Sequence, residues 1–299
     1  MKTRLIYFLP SIVSLILASC GKDNDPVANN ITLHFNNTFK NTTIVLGGAA
    51  SATATVNTSA KGQIHHFSEL KYVISNIRLV KVEGGEIPYN INDLDKGATV
   101  VNQSKPQTLD YVLSNIPAGE YKQIKFGLGV RADLNTLDQV RFPIFYTEAG
   151  ANDTKMMWEW GAGYRFTKIE GFYDVDHKQM SIHTGSTVVG TNGDPDSYTQ
   201  GVDAYRDITL SFPSHAVVGK NSPRITINAD FDKLLSGKSH TLSLKSGNDP
   251  NQHEDPNATY NDATPNTHTA VQMLRFVDNL GGNGSSDISG MFSVTDVEN

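Results

Sequence analysis

Both tryptophans of this 299-residue chain, Trp158 and Trp160, fall in one short run, MMWEWGAGYRFTKIEG, from Met156 to Gly171. In an extended strand successive side chains point to opposite faces, so Met156, Trp158 and Trp160 share one side while Met157 and Glu159 share the other. Gly161 and Gly163 then interrupt the run, as a bulge or the close approach of another backbone requires. Such a stretch offers a large aromatic and thioether surface on one side of one strand. Among the histidines, which leave metal binding open, His183 stands apart. It stands between Ile182 and a Thr-Gly turn, on a strand that follows the tryptophans by a short connection, and hairpin pairing brings it near Trp158 or Trp160. The competing reading makes the indoles anchors of a sheet core, since aromatic side chains bury a large area wherever they sit.

The other histidines, nine in all with His183, point less clearly to a site. His65 and His66 are neighbours, so on a strand they face opposite ways and are read as solvated or edge residues. His34 lies opposite the apolar Leu33 and Phe35, and the remaining five sit in or beside polar turns. In GDPDSYTQGVDAYRD, Asp194, Asp196, Asp203 and Asp207 offer the oxygen ligands that calcium favours, though their spacing is not that of an EF-hand. A serine nucleophile elbow, an H-E-x-x-H zinc helix and a phosphate-binding loop are all missing, and the one cysteine is spoken for. No catalytic activity is expected.

That cysteine is Cys20. Lys2 and Arg4 precede an apolar run from Leu5 to Leu17, too short for a comfortable membrane span, and Leu17-Ala18-Ser19-Cys20 resembles a bacterial lipobox. Residues 1–20 therefore read as a lipoprotein signal, cut before Cys20, and 21–30 as a flexible tether from the membrane to one domain spanning 31–299. A Gram-negative cell envelope is the expected location, with the chain an outer-membrane lipoprotein facing the periplasm or the surface. With 25 basic and 31 acidic side chains the formal charge is −6. Losing the signal removes two basic residues and no acidic one, so the mature surface repels phosphate backbones and nucleic acid is not a partner.

The elements that must hold these residues are mostly strands. Period-two alternation runs through Ile31–Phe35, Phe126–Arg131, Ile208–Phe212 and Ile225–Phe231. Lys71–Val82 and Met180–Thr187 add β-branched runs, and Met291–Val297 closes the chain. His268–Leu280 reads as a helix, with Val271, Leu274 and Val277 as its stripe, Thr267 as its cap and Gly281-Gly282 as its stop. Many short strands, one or two short helices and no βαβ alternation predict an all-β fold, an antiparallel sandwich or barrel. Two long loops, Val189–Asp203 and Ser246–Asn266, are rich in Gly, Asn, Asp and Pro.

The run M-x-W-x-W-x-x-G-Y-x-F at Met156–Phe166, with H-x-G-S-T at His183–Thr187, resembles the MbnP-like copper-binding domain. YVISNIRLV at Tyr72–Val80, PAGEY at Pro117–Tyr121 and F-x-L-G-V with the later Asn135 support the likeness, which extends over nearly all of the mature chain. The resemblance implies a β-rich envelope protein that binds copper where one tryptophan, here Trp158 or Trp160, has been oxidised to kynurenine by a di-haem cytochrome c peroxidase-type partner. It makes His183 the imidazole ligand. It also exposes departures: copper-binding members carry histidine in the strand that here holds Ser75-Asn76, and after the asparagine where this chain has Thr136. His183 and one altered tryptophan are then too few ligands for tight binding unless His34, Met156 or Met157 contributes. The rival readings are a surface sandwich that binds a protein or glycan through its loops, and an enzyme built on the Asp-rich loop.

Overall fold

Alternating apolar residues zip two sheets together face to face. The computed structural model describes residues 27–135, 140–150, 155–158, 163–191, 194–197, 199–245, 262–263, 265–267, 270–284 and 289–299. Cys20 and its lipobox, most of the tether, Thr136, Trp160 and most of the second long loop lie outside the described residues.

The first sheet is built on β1 (Asn29–Phe39), which fully buries Ile31, Leu33 and Phe35 at every second position. The second is built on β2 (Ile64–Lys81), an 18-residue strand. It is joined by the short β3 (Thr99–Asn102), while β4 (Asp110–Ile116) returns to pair with β1. Next come β5 (Gly119–Leu128), β6 (Arg165–Tyr173), β7 (Lys178–Gly185) and β8 (Arg206–Val218), giving the second sheet the order β7-β6-β2-β5-β8. The last two strands, β9 (Arg224–Asp230) and β10 (Phe292–Glu298), complete the first sheet in the order β10-β9-β1.

The all-β sandwich is as the sequence predicts, with two differences. The pairing of β1 with β9 is parallel, in register from Thr32 opposite Arg224 to Thr38 opposite Asp230. Period-two alternation looks the same in either direction, so nothing local could reveal this. The helices number three among the described residues: α1 (Leu94–Gly97), α2 (Pro143–Ala149) and α3 (Ala270–Gly281). On α3 the buried stripe is Met273, Phe276, Val277 and Leu280, not the expected repeat through Leu274. Thr267, the expected cap, precedes His268, which lies outside the described residues. The Thr267 hydroxyl bridges the strand backbone, accepting from His183 N and donating to His183 O at 3.1 and 2.9 Å.

Among the described residues there are two apolar cores. Between the sheets lie Leu33, Phe35, Tyr72, Ile74, Phe126, Ile169, Ile182, Ile227 and Phe292. On the opposite face of the second sheet, Val73 and Phe166 gather a smaller cluster with Phe145, Met156, Tyr164, Met273 and Val277. The expectation that His65 and His66 are solvated is overturned, since they are only 1% and 4% exposed. β2 is covered on both faces at this point, and His65 packs edge-on between Phe39 and Phe67 at 5.3 and 5.4 Å.

Candidate metal centre

The hairpin of β6 and β7 carries the site. It pairs Tyr173 with Lys178, Glu170 with Ser181, Lys168 with His183 and Arg165 with Gly185. Ile169 and Ile182 go into the main core, which leaves Lys168, Glu170, Ser181 and His183 on the outer face. There Nε2 of His183 lies 3.0 Å from Glu170 Oε1 and 3.2 Å from Ser181 Oγ. Lys168 reaches Glu69 at 2.8 Å and Glu170 at 3.5 Å, and Lys71 reaches Glu69 at 2.6 Å. A row of alternating charge thus crosses three strands and ends at the imidazole. The hydrogen bond from His183, and then the charge of Lys168, hold the Glu170 carboxyl down to about 2 despite its partial burial. Glu170 is therefore an anion at neutral pH and can only accept, so Nε2 of His183 carries the proton.

Trp158 comes to the imidazole from a narrow ribbon, not from a regular strand. Trp158 N–H donates to Gly163 O at 3.0 Å, Arg165 N–H donates to Met156 O at 2.8 Å, and Met157 bridges Tyr164. Gly163 takes the left-handed φ of +84°, and a β-carbon there would come within 2.3 Å of Asn135 Oδ1, which accepts from Tyr164 N–H at 2.8 Å. The ribbon sets the half-buried indole 6.4 Å from the His183 ring at 63°, with the Arg165 guanidinium 5.0 Å above it. Gly185 forms its seat, since a β-carbon there would stand 2.6 Å from Trp158 Nε1.

The other predicted residues lie elsewhere. Met156 is fully buried in the smaller core. His34 is on the first sheet, 2.8 Å from Asp110, which also binds Arg224 at 2.9 Å. Ser75 is buried, its hydroxyl donating to Gly129 O at 2.6 Å. Asp203 accepts from Ser186 Oγ and Tyr205 N–H, each at 2.9 Å, Asp207 pairs with Arg78, and Asp194 and Asp196 lie exposed at a short 3-10 turn. No group of three His, Cys, Asp or Glu side chains suited to a metal forms among the described residues. Sequence reasoning missed Glu170, Gly185 and Arg165. The alternation of KIEG could have pointed to Glu170, which shares the outward face with Lys168; the other two need the ribbon's path.

The geometry accounts for the shared motifs. Phe166 packs where a β-carbon on Gly129 would be 2.3 Å from its ring, Asn135 backs Gly163, and Tyr121 donates its hydroxyl to Pro117 O at 2.7 Å across the PAGEY turn. Residues 28–255 match the MbnP family model. Among solved structures, MbnP from Methylosinus trichosporium aligns with a TM-score of 0.51 at 14% identity, over 89% of this chain and 98% of that one, which is a likeness of fold. Among curated proteins no sequence matches. With the greater part of its length matched and the motif residues joined in one structure, the chain belongs to the MbnP family.

Proposed function

We propose that this protein is a lipid-anchored, non-catalytic copper-binding protein of the cell envelope, tethered through Cys20, with its metal site at His183 and Trp158. The observation that carries the reading is the pair of rings 6.4 Å apart, with a carboxylate behind the imidazole. Because Nε2 donates to Glu170, Nδ1 of His183 keeps its lone pair for a metal, and carboxylates commonly orient metal-binding histidines in this way. An intact indole has only an N–H to donate and cannot ligate through nitrogen. Opened to kynurenine by an oxidant and water, it releases one ring carbon as formate and gains one oxygen, and its nitrogen becomes an aromatic amine. An imidazole and an amine suit copper, which stands high in the affinity order of first-row ions. With the Ser75 hydroxyl committed to Gly129 and Met156 to the core, the imidazole and the amine form a two-donor set that holds copper weakly.

The ring opening needs an oxidant from outside, and a di-haem cytochrome c peroxidase-type partner is the one we infer. Peptide mass and metal content of the protein from its native host test the reading. The carbon-for-oxygen exchange is expected on Trp158, with copper bound and then lost in His183→Ala. An unmodified Trp158 together with copper-free protein would overturn it.

A further inference from the structure

We propose a second metal site, formed by His66 and His177 and independent of the one at His183. The two residues are far apart in sequence, and the fold brings their rings to 5.7 Å between centroids at 73°. His66 is on β2 opposite Phe172, and His177 lies in the turn joining β6 to β7. The adjacent histidines of β2 thus divide by strand geometry: His65 enters the aromatic core and His66 faces outward to meet the turn.

Three features suit the pair to a metal. First, the spacing is right: with metal–nitrogen bonds of about 2.0–2.1 Å, two imidazoles on one ion have ring centroids roughly 5–6.5 Å apart. Second, His66 is already positioned. Its ring lies 5.1 Å from Phe172 at 31°, and Nε2 is 3.2 Å from Gly48 O. A carbonyl only accepts, so Nε2 carries the proton and Nδ1 keeps the lone pair. Third, access is open from one side, because His66 is 4% exposed while His177 is an exposed turn residue. The nearby cation, Lys178, is engaged by Asp174 at 3.4 Å and Asp176 at 3.3 Å, which offsets its repulsion of an incoming ion.

Two neutral imidazoles without thiolate select a first-row divalent ion such as Cu²⁺ or Zn²⁺. Water fills the remaining coordination positions, so the site is exchangeable and weaker than a closed structural one.

The test is calorimetric titration of the full chain with Cu²⁺ and with Zn²⁺ at pH 7.5, alongside histidine NMR. The variants are His177→Asn and His183→Asn. Asparagine suits the left-handed φ of +53° at position 177, so the fold survives that change. One bound equivalent is expected to vanish in His177→Asn and persist in His183→Asn, and both His66 and His177 resonances should shift on Zn²⁺ addition. Equal stoichiometry and affinity in His177→Asn and the unaltered chain would overturn the site. Loss of metal in His183→Asn alone would do the same while leaving the first site standing.

Discussion

Gly185 is the residue on which the proximity of Trp158 and His183 most directly depends. It lies two positions beyond His183 on β7, opposite Arg165, whose guanidinium covers the same indole. A β-carbon at 185 would also approach Tyr164 O to 3.0 Å, so it is confined between a ring and a backbone. Gly185→Ala should displace the indole at a cost of about 1–3 kcal/mol, the usual range for overpacking. The check is the Trp158 indole N–H resonance and its contacts to His183. An unmoved resonance would mean that the seat is looser than its geometry. Glu170 acts differently, because it touches the imidazole, so its removal would alter the His183 tautomer first.

At the scale of elements, β2 organises the site by changing partners along its length. His65–Tyr72 pairs with β6 and Ile74–Lys81 with β5, and Gly129 N–H donates to Val73 O where the two regions adjoin. Phe166, at the start of β6, lies across Gly129, just after the end of β5. This contact ties the tryptophan ribbon to the rest of the second sheet. Gly129 has a φ of +101°, which disfavours any side chain, and a β-carbon would also strike the Phe166 ring. Gly129→Ala should therefore cost about 2–4 kcal/mol, from backbone strain and overpacking together. Urea denaturation reads this as a lower midpoint at unchanged slope. A midpoint equal to that of the unaltered chain would show that Phe166 does not pin the strand ends. Thr267, bonded to both backbone groups of His183, fixes the segment preceding α3 to the same hairpin from its other side.

At the scale of the whole molecule, His65 sets an acid limit on stability. Burial lowers its pKa from 6.5 to about 4; a pull the other way from the Gln63 backbone is smaller, and the nearby His66 adds slightly to the lowering. Above pH 6.5 both folded and unfolded chains hold this ring neutral, and it confers no pH dependence. As the pH falls toward 4, the unfolded chain takes up the proton first, and stability drops by about 3 kcal/mol in all. Denaturation at pH 7 and pH 5 should show about 2 kcal/mol of this loss in the unaltered chain and not in His65→Leu. Parallel losses in the two would exclude His65 as the cause. Glu170 works in a lower window: its depressed pKa contributes stability above the ordinary value of 4.5 that is lost as the pH falls toward about 2.

The amino-acid sequence alone determined what local physics controls: period-two burial and hence strands, the position of the main helix, the polar loops, and the concentration of indoles before His183. It also marked that histidine as the ring for the tryptophans to meet, because hairpin partners close in sequence are close in space. Only the tertiary structure decided the parallel pairing of β1 with β9, whose partners lie about 190 residues apart, and the burial of His65 and His66. It likewise decided which residues stand behind His183, placed Met156 in the smaller core, and joined His66 to a turn more than 100 positions later. The reason is the same in each case. Alternation states that a side chain faces one side of a sheet, but what covers that side is set by strands and turns arriving from distant parts of the chain.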